Sequence, residues 1–149
     1  MNMISKNELC RLIPHSGAMC LLDEVEYWDD SKIICRSKTH LQDDNPLRKA
    51  DQLSIVHGIE YGAQAMAVHG GLLARQSSLP VLPAYLASLK HVRFFGQPML
   101  SCDDNRELVV EAEKIYASEG SLVYTFCVKC EEIQLVSGEA MVIQPGEGV

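Results

Sequence analysis

His57, Glu60 and Gln64 put an imidazole, a carboxyl and an amide three and four residues apart. On a helix turning about 100° per residue, those intervals bring all three to one side, and Ser54 extends the stripe one turn upstream. A carboxyl and an imidazole within reach of each other can do general acid–base work, one giving a proton while the other takes one. The surrounding stretch, Gly58, Ile59, Tyr61, Gly62, Ala63, Ala65, Met66, Ala67 and Val68, is otherwise apolar, and Leu72 and Leu73 continue the helix without the polar stripe. A helix that is apolar nearly all round is a buried one. Burial of a charge is costly unless the charge is paired or neutralised, and it favours the protonated form of a carboxyl, which suits an acid. The stripe is therefore either a satisfied structural network or a reaction site.

The elements that must position these groups follow from periodicity and turn signals. Residues 5–12 read as a short amphipathic helix, with Ser5 as cap, Glu8 three residues on and Pro14 ending it. Residues 19–28 and 32–39 read as strands joined by a turn at Asp29, Asp30 and Ser31. A polar loop over 42–51 leads to the long helix near 53–76, for which Asp51 and Ser54 are cap candidates. Gly58, Gly62, Gly70 and Gly71 weaken that helix but permit close approach, so something should pack tightly on it. After a loop over 76–83 only strands follow: 84–95, then 107–117 and 121–133 as a hairpin turning at Glu119-Gly120, then 135–144 ended by Pro145-Gly146. Leu122, Tyr124, Phe126 and Val128 alternate onto one face. One buried helix and a largely antiparallel sheet make an α+β domain in which the sheet must curl around the helix.

Composition narrows the partners. The 149 residues form one domain, 1–149, with room for a sizeable core. A formal net charge of −7 argues against nucleic acid, which calls for a basic face. No apolar run approaches the roughly 18 residues of a membrane span, and the N-terminus lacks the pattern of a signal peptide. The expected setting is cytoplasmic and the six cysteines are expected as free thiols. Cys127 and Cys130 have CxxC spacing, but strand residues three apart face opposite ways and no second ligand pair accompanies them, so no metal is expected. There is no glycine-rich phosphate loop and no Gly-x-Ser-x-Gly elbow, and no cofactor is implied. His69 reads as an interface or surface residue, and His40 and His91 as sheet or loop residues.

The motifs resemble a known family. Leu12-Ile13-Pro14-His15, followed by the apolar run to Asp23-Glu24-Val25, is similar to the opening motif of 3-hydroxyacyl-ACP dehydratases of the FabZ type. Glu60-Tyr61-Gly62-Ala63-Gln64 resembles their helix motif Glu-x-x-Ala-Gln, Lys90-His91-Val92-Arg93-Phe94 their Lys-x-x-Arg-Phe strand, and Gly138-Glu139-Ala140-Met141-Val142 their last strand. The resemblance covers nearly the whole chain and implies the hot-dog fold, an antiparallel sheet wrapped around one long central helix. Asn45-Pro46, Gly58-Ile59-Glu60-Tyr61 and Gln144-Pro145 point more narrowly to the ApeP-like subgroup of aryl-polyene lipid biosynthesis. One departure stands out. The family's catalytic histidine lies in a Gly-His-Phe-Pro-Gly loop, and the matching stretch here, Asn45-Pro46-Leu47-Arg48-Lys49, has neither the histidine nor the glycines.

The resemblance implies dehydration of a 3-hydroxyacyl thioester carried by an acyl carrier protein. A base removes the α-proton, an acid protonates the departing hydroxyl, and N–H donors of a helix N-terminus help the thioester oxygen. Glu60 is expected as the acid and His57 as the substitute base, or as the group that orients Glu60. Gln64, His15, Asn45, Ile55 and Val56 are the expected substrate-binding residues. Arg48, Lys49, Lys90 and Arg93 are the expected dock for an acidic carrier protein and its phosphopantetheine arm. Hot-dog sites form between two subunits, so a homodimer or a heterodimer with another hot-dog subunit is expected. The rival readings are a non-catalytic subunit completing a partner's site, and an acyl thioesterase in which Glu60 activates water.

Overall fold

In a computed structural model of the chain, residues 3–13, 17–80 and 84–144 are described. Helix α1 (Lys6–Cys10) starts at Ser5, whose hydroxyl accepts the Glu8 amide. Strands β1 (Glu24–Trp28) and β2 (Lys32–Ser37) are joined by a turn built on Asp29. The Asp29 carboxylate accepts the Ser31 and Lys32 amides at 2.9 and 2.8 Å and the Tyr27 hydroxyl at 2.8 Å. These bonds, the Ser31 amide first, hold it well below the usual carboxylate range, because each favours the charged form.

Both strands are shorter than their apolar pattern predicts. Residues 17–19 form a 3₁₀ turn instead of opening β1, and Thr39–Leu41 form another beyond β2. The reason lies in the bonds of the segment before β1. The Leu21 N–H and the Met19 and Leu21 carbonyls are taken by side chains of the long helix, of the last residue of β2 and of the chain following it.

The long helix begins as a 3₁₀ turn (Ile55–His57) capped by Ser54, and becomes helix α2 over Gly58–Gln76. Strands β3 (Tyr85–Phe94), β4 (Leu108–Ser118), β5 (Ser121–Cys130) and β6 (Ile133–Ile143) complete one sheet. Its order is β1-β2-β4-β5-β6-β3, antiparallel at every pairing. Helix α2 packs on β2, β4, β5 and β6. Ile33, Cys35, Leu108, Val110, Ala112, Tyr124, Phe126, Val128, Val136 and Ala140 are buried with Tyr61, Ala65, Val68 and Leu72 of the helix. Two glycines set the closeness of this packing. A Cβ on Gly58 would lie 2.5 Å from Val136 Cγ2, and one on Gly62 2.5 Å from Phe126 Cδ2.

Two expectations need correction. His69 is a core residue, 0% exposed, bonded to the Tyr124 hydroxyl and the Asp29 carbonyl, each at 2.7 Å. A histidine on an apolar helix face is accommodated there because both ring nitrogens find partners. The cysteines are not all free thiols either. Cys10 is bonded to Cys20 and Cys102 to Cys130, with Cα atoms 5.9 and 5.5 Å apart, while Cys35 and Cys127 are free. Pairs distant in the chain meet only because the fold brings them together. Of the two cap candidates Ser54 serves the helix, and Asp51 gives its carbonyl to Arg48.

The sheet's two edges differ. Ile4 exchanges backbone bonds of 3.0 and 2.9 Å with Val25 and so covers part of β1. Edge strand β3 is exposed along most of its length, with Tyr85, Leu86, Leu89 and Phe94 among its open side chains.

Candidate active site

Glu60 lies in the first turn of α2, half-buried, where the positive end of the helix dipole is found. One turn on, Gln64 is 2% exposed and holds three bonds. Its Oε1 accepts the Leu21 N–H at 2.8 Å, and its Nε2 donates to the Met19 carbonyl at 2.8 Å and to Glu60 Oε1 at 3.3 Å. The amide cannot be turned over without opposing the Leu21 N–H to a donor and the Met19 carbonyl to an acceptor. Gln64 therefore always shows Glu60 an N–H. In that bond Glu60 Oε1 is the acceptor.

Beneath this pair lies a polar cluster that periodicity did not single out. Tyr61, next to Glu60 in the chain, is 0% exposed, and its hydroxyl meets Thr39 Oγ1 at 2.7 Å and Asn45 Nδ2 at 3.1 Å. Thr39 Oγ1 donates to the Leu21 carbonyl at 2.7 Å, and Ser37 Oγ donates to the same oxygen at 2.5 Å. The one available signal was a tyrosine hydroxyl within an apolar helix, which must find a partner when buried.

The other candidates divide. His57 ends the 3₁₀ turn, half-buried, three residues before Glu60. Asn45 is buried, and its amide is engaged: it donates to Tyr61 and to the Thr39 carbonyl, and accepts the Leu47 N–H. It holds the 42–51 loop onto α2, with both of its N–H groups and one acceptor position of Oδ1 taken. Ile55 is in the core, whereas Val56 is open to solvent. Arg48 spends its guanidinium on the carbonyls of His40, Gln42 and Asp51, stapling the loop. Lys49, Lys90 and Arg93 are exposed, the last two on β3. His15 lies outside the described residues.

The helix N-terminus also differs from expectation. The Ile55, Val56 and His57 N–H groups are taken by the Pro98 carbonyl, Ser54 Oγ and the Ser54 carbonyl. What this end offers a developing oxyanion is its dipole rather than open donors. A depression of about 140 Å³ lies on the sheet face turned from α2, lined by Lys32, Ile34, Glu111, Glu113, Thr125 and Cys127. It is polar and smaller than the roughly 300–1,000 Å³ of small-molecule sites. Among the described residues no cluster of three or more His, Cys, Asp or Glu side chains could hold a metal, and no helix is long and apolar enough to cross a membrane.

The sequence profile of the ApeP-like family, described as ApeP dehydratase, matches residues 7–148. No curated protein sequence matches the chain. Among solved structures, the dehydratase heterocomplex ApeI:P from Xenorhabdus doucetiae contains a chain that is 22% identical, with 93% of this chain and 91% of that one covered at a TM-score of 0.81. A hypothetical thioesterase from Streptococcus pneumoniae, solved with coenzyme A, is 10% identical over 82% of this chain and 84% of its own, at 0.59. A thioesterase family protein from Silicibacter pomeroyi is 13% identical over 80% and 81%, at 0.55.

Proposed function

The chain belongs to the ApeP-like dehydratase family and has the hot-dog fold, and from that premise we propose that it dehydrates 3-hydroxyacyl thioesters on an acyl carrier protein in aryl-polyene lipid biosynthesis. The observation that carries the residue assignment is the Gln64 clamp on Glu60. In this reading Glu60 gives its proton to the departing 3-hydroxyl as the C–O bond breaks. A base takes the α-proton, and the products are water and the 2-enoyl thioester. His57, half-buried one turn before Glu60, is the base on this chain. Lys49, Lys90 and Arg93 receive the acidic carrier protein. The reading sets the chain in the cytoplasm with that carrier.

The chain works beside a second hot-dog subunit. Edge strand β3 supports this, since its apolar side chains are left open on a strand with an unpaired side. So does the heterocomplex in which the 22%-identical chain was solved. A partner of that kind favours a further possibility, that the base comes from the partner.

Purified protein, alone and with a hot-dog subunit encoded beside it, is given short- and medium-chain 3-hydroxyacyl carrier proteins, and loss of water is followed by mass spectrometry. The expected result is dehydration that falls at least about a hundredfold in Glu60→Gln. His57→Gln falls similarly if His57 is the base, and retains activity in the mixed complex if the partner supplies it. Full activity of Glu60→Gln rules out the site, and release of free acid instead of water makes the protein a thioesterase.

A further inference from the structure

The bonds beneath Glu60 have a direction. Thr39 has a single hydroxyl proton, which goes to the Leu21 carbonyl at 2.7 Å or to Ser37 Oγ at 2.9 Å, and Ser37 itself donates to that carbonyl. At the 2.7 Å contact with Tyr61, Thr39 must therefore accept and Tyr61 must donate. Tyr61 in turn accepts from the Asn45 amide, whose second N–H goes to the Thr39 carbonyl. On the other side of the same residue the Leu21 N–H goes to Gln64 Oε1, and Gln64 Nε2 gives its N–H to Glu60. Asn45, Tyr61, Thr39, Leu21, Gln64 and Glu60 thus form one series in which every donor points toward the carboxylate.

We propose that Tyr61, Thr39 and Asn45 are positioning residues for Glu60, acting through Leu21 and Gln64. The proposal rests on the dehydratase reading and names what that reading needs: a reason why the acid stays in one place on a helix whose first turn is half-open. Leu21 lies outside regular structure, ahead of β1. Its carbonyl is held by the Thr39 and Ser37 hydroxyls, both on the chain around the end of β2. Releasing the carbonyl lets the residue turn and carries its N–H away from Gln64. Gln64 then keeps only its bond to the Met19 carbonyl, and the N–H it shows Glu60 is less firmly placed. Within the Gln64 amide, the bond accepted at Oε1 polarises the group and makes its N–H a better donor to Glu60. Tyr61 touches no substrate in this account.

The test uses the chain with its hot-dog partner and the best substrate of the panel above, with rates expressed per folded molecule from a parallel thermal melt. Tyr61→Phe keeps the ring and removes only the hydroxyl. It is expected to lower kcat about tenfold at unchanged KM, the signature of a group that acts in the transition state alone. In a Gln64→Ala background the same change should cost nothing further, because the route through Gln64 is already cut. Thr39→Val should match Tyr61→Phe, and Thr39→Ser, which restores the hydroxyl, should recover the rate. Wild-type kcat in Tyr61→Phe, or losses that multiply in the double variant, overturns the proposal. If Glu60→Gln is inactive while Tyr61→Phe is fully active, the positioning role alone falls. If the wild type dehydrates nothing, the dehydratase reading falls and the positioning role with it.

Discussion

Two buried histidines show what single residues contribute. His40 is 3% exposed, and neither ring nitrogen makes a well-formed hydrogen bond. His69 is fully buried with both nitrogens bonded. Burial pushes both rings below the usual histidine value. For His40 the Arg48 charge adds to the shift, while the Arg106 backbone and Asp23 oppose it. For His69 the Lys114 charge adds to it, while the Asp29 carbonyl and the Asp29 and Asp30 charges oppose it. A base with a depressed folded value binds its proton more readily in the unfolded chain. Stability is therefore full above the ordinary histidine value of about 6.5 and is lost as pH falls below it toward the folded values. Denaturant titrations between pH 7.5 and 5 should show that fall, at no more than about 1.4 kcal/mol per pH unit for each ring. His40→Phe should flatten the slope and be at least as stable as wild type at pH 7.5, since it removes two poorly satisfied polar atoms. A slope unchanged in His40→Phe would assign the effect to other groups.

At the scale of elements, α2 shows why a glycine is not one thing. Gly62 faces Phe126 so closely that a Cβ must displace the ring, whereas a Cβ on Gly70 meets nothing within 4 Å. Alanine is the better helix former by about 1 kcal/mol. At Gly70 that gain is all there is, so Gly70→Ala should raise stability by about 1 kcal/mol. At Gly62 overpacking outweighs it, and Gly62→Ala should lose about 1–3 kcal/mol despite the same propensity gain. Chemical denaturation of the two variants checks the sign. The sequence pattern predicts that something packs tightly on this helix. It could not tell the two glycines apart, because the period of α2 does not say which strand crosses where.

At the scale of the whole molecule, the two disulfides tie segments that secondary structure leaves separate. Cys10–Cys20 joins α1 to the segment that grips Gln64, and Cys102–Cys130 joins the approach to β4 to the end of β5. Closing loops of 10 and 28 residues restricts the unfolded chain, and each bond contributes about 2–4 kcal/mol on that account. Unreduced protein, denatured and titrated for thiols, should show the two free cysteines, Cys35 and Cys127, and all six after reduction. Reduction should lower the melting temperature. Six thiols without a reductant would show that the expected free-thiol state is the one the protein keeps in solution.

Local patterns determined the elements, because they rest on periodicity and caps that act within a few residues. The helix of apolar faces, the alternation of β5, the Asp29 turn and the Ser5 and Ser54 caps all follow from neighbours in the chain. The motifs around Glu60 and Gln64 were readable for the same reason, as were the family and the fold they imply. What the sequence could not determine is which groups face each other across the core. That Asn45 meets Tyr61, that Arg48 staples its own loop, that His69 finds Tyr124 and that Cys10 finds Cys20 are decided when loops and strands close around α2. The spacing placed a carboxyl and an amide on one side of a helix. Only the packed chain, by satisfying every donor beneath them, decided which way the amide points and so what it offers the carboxyl.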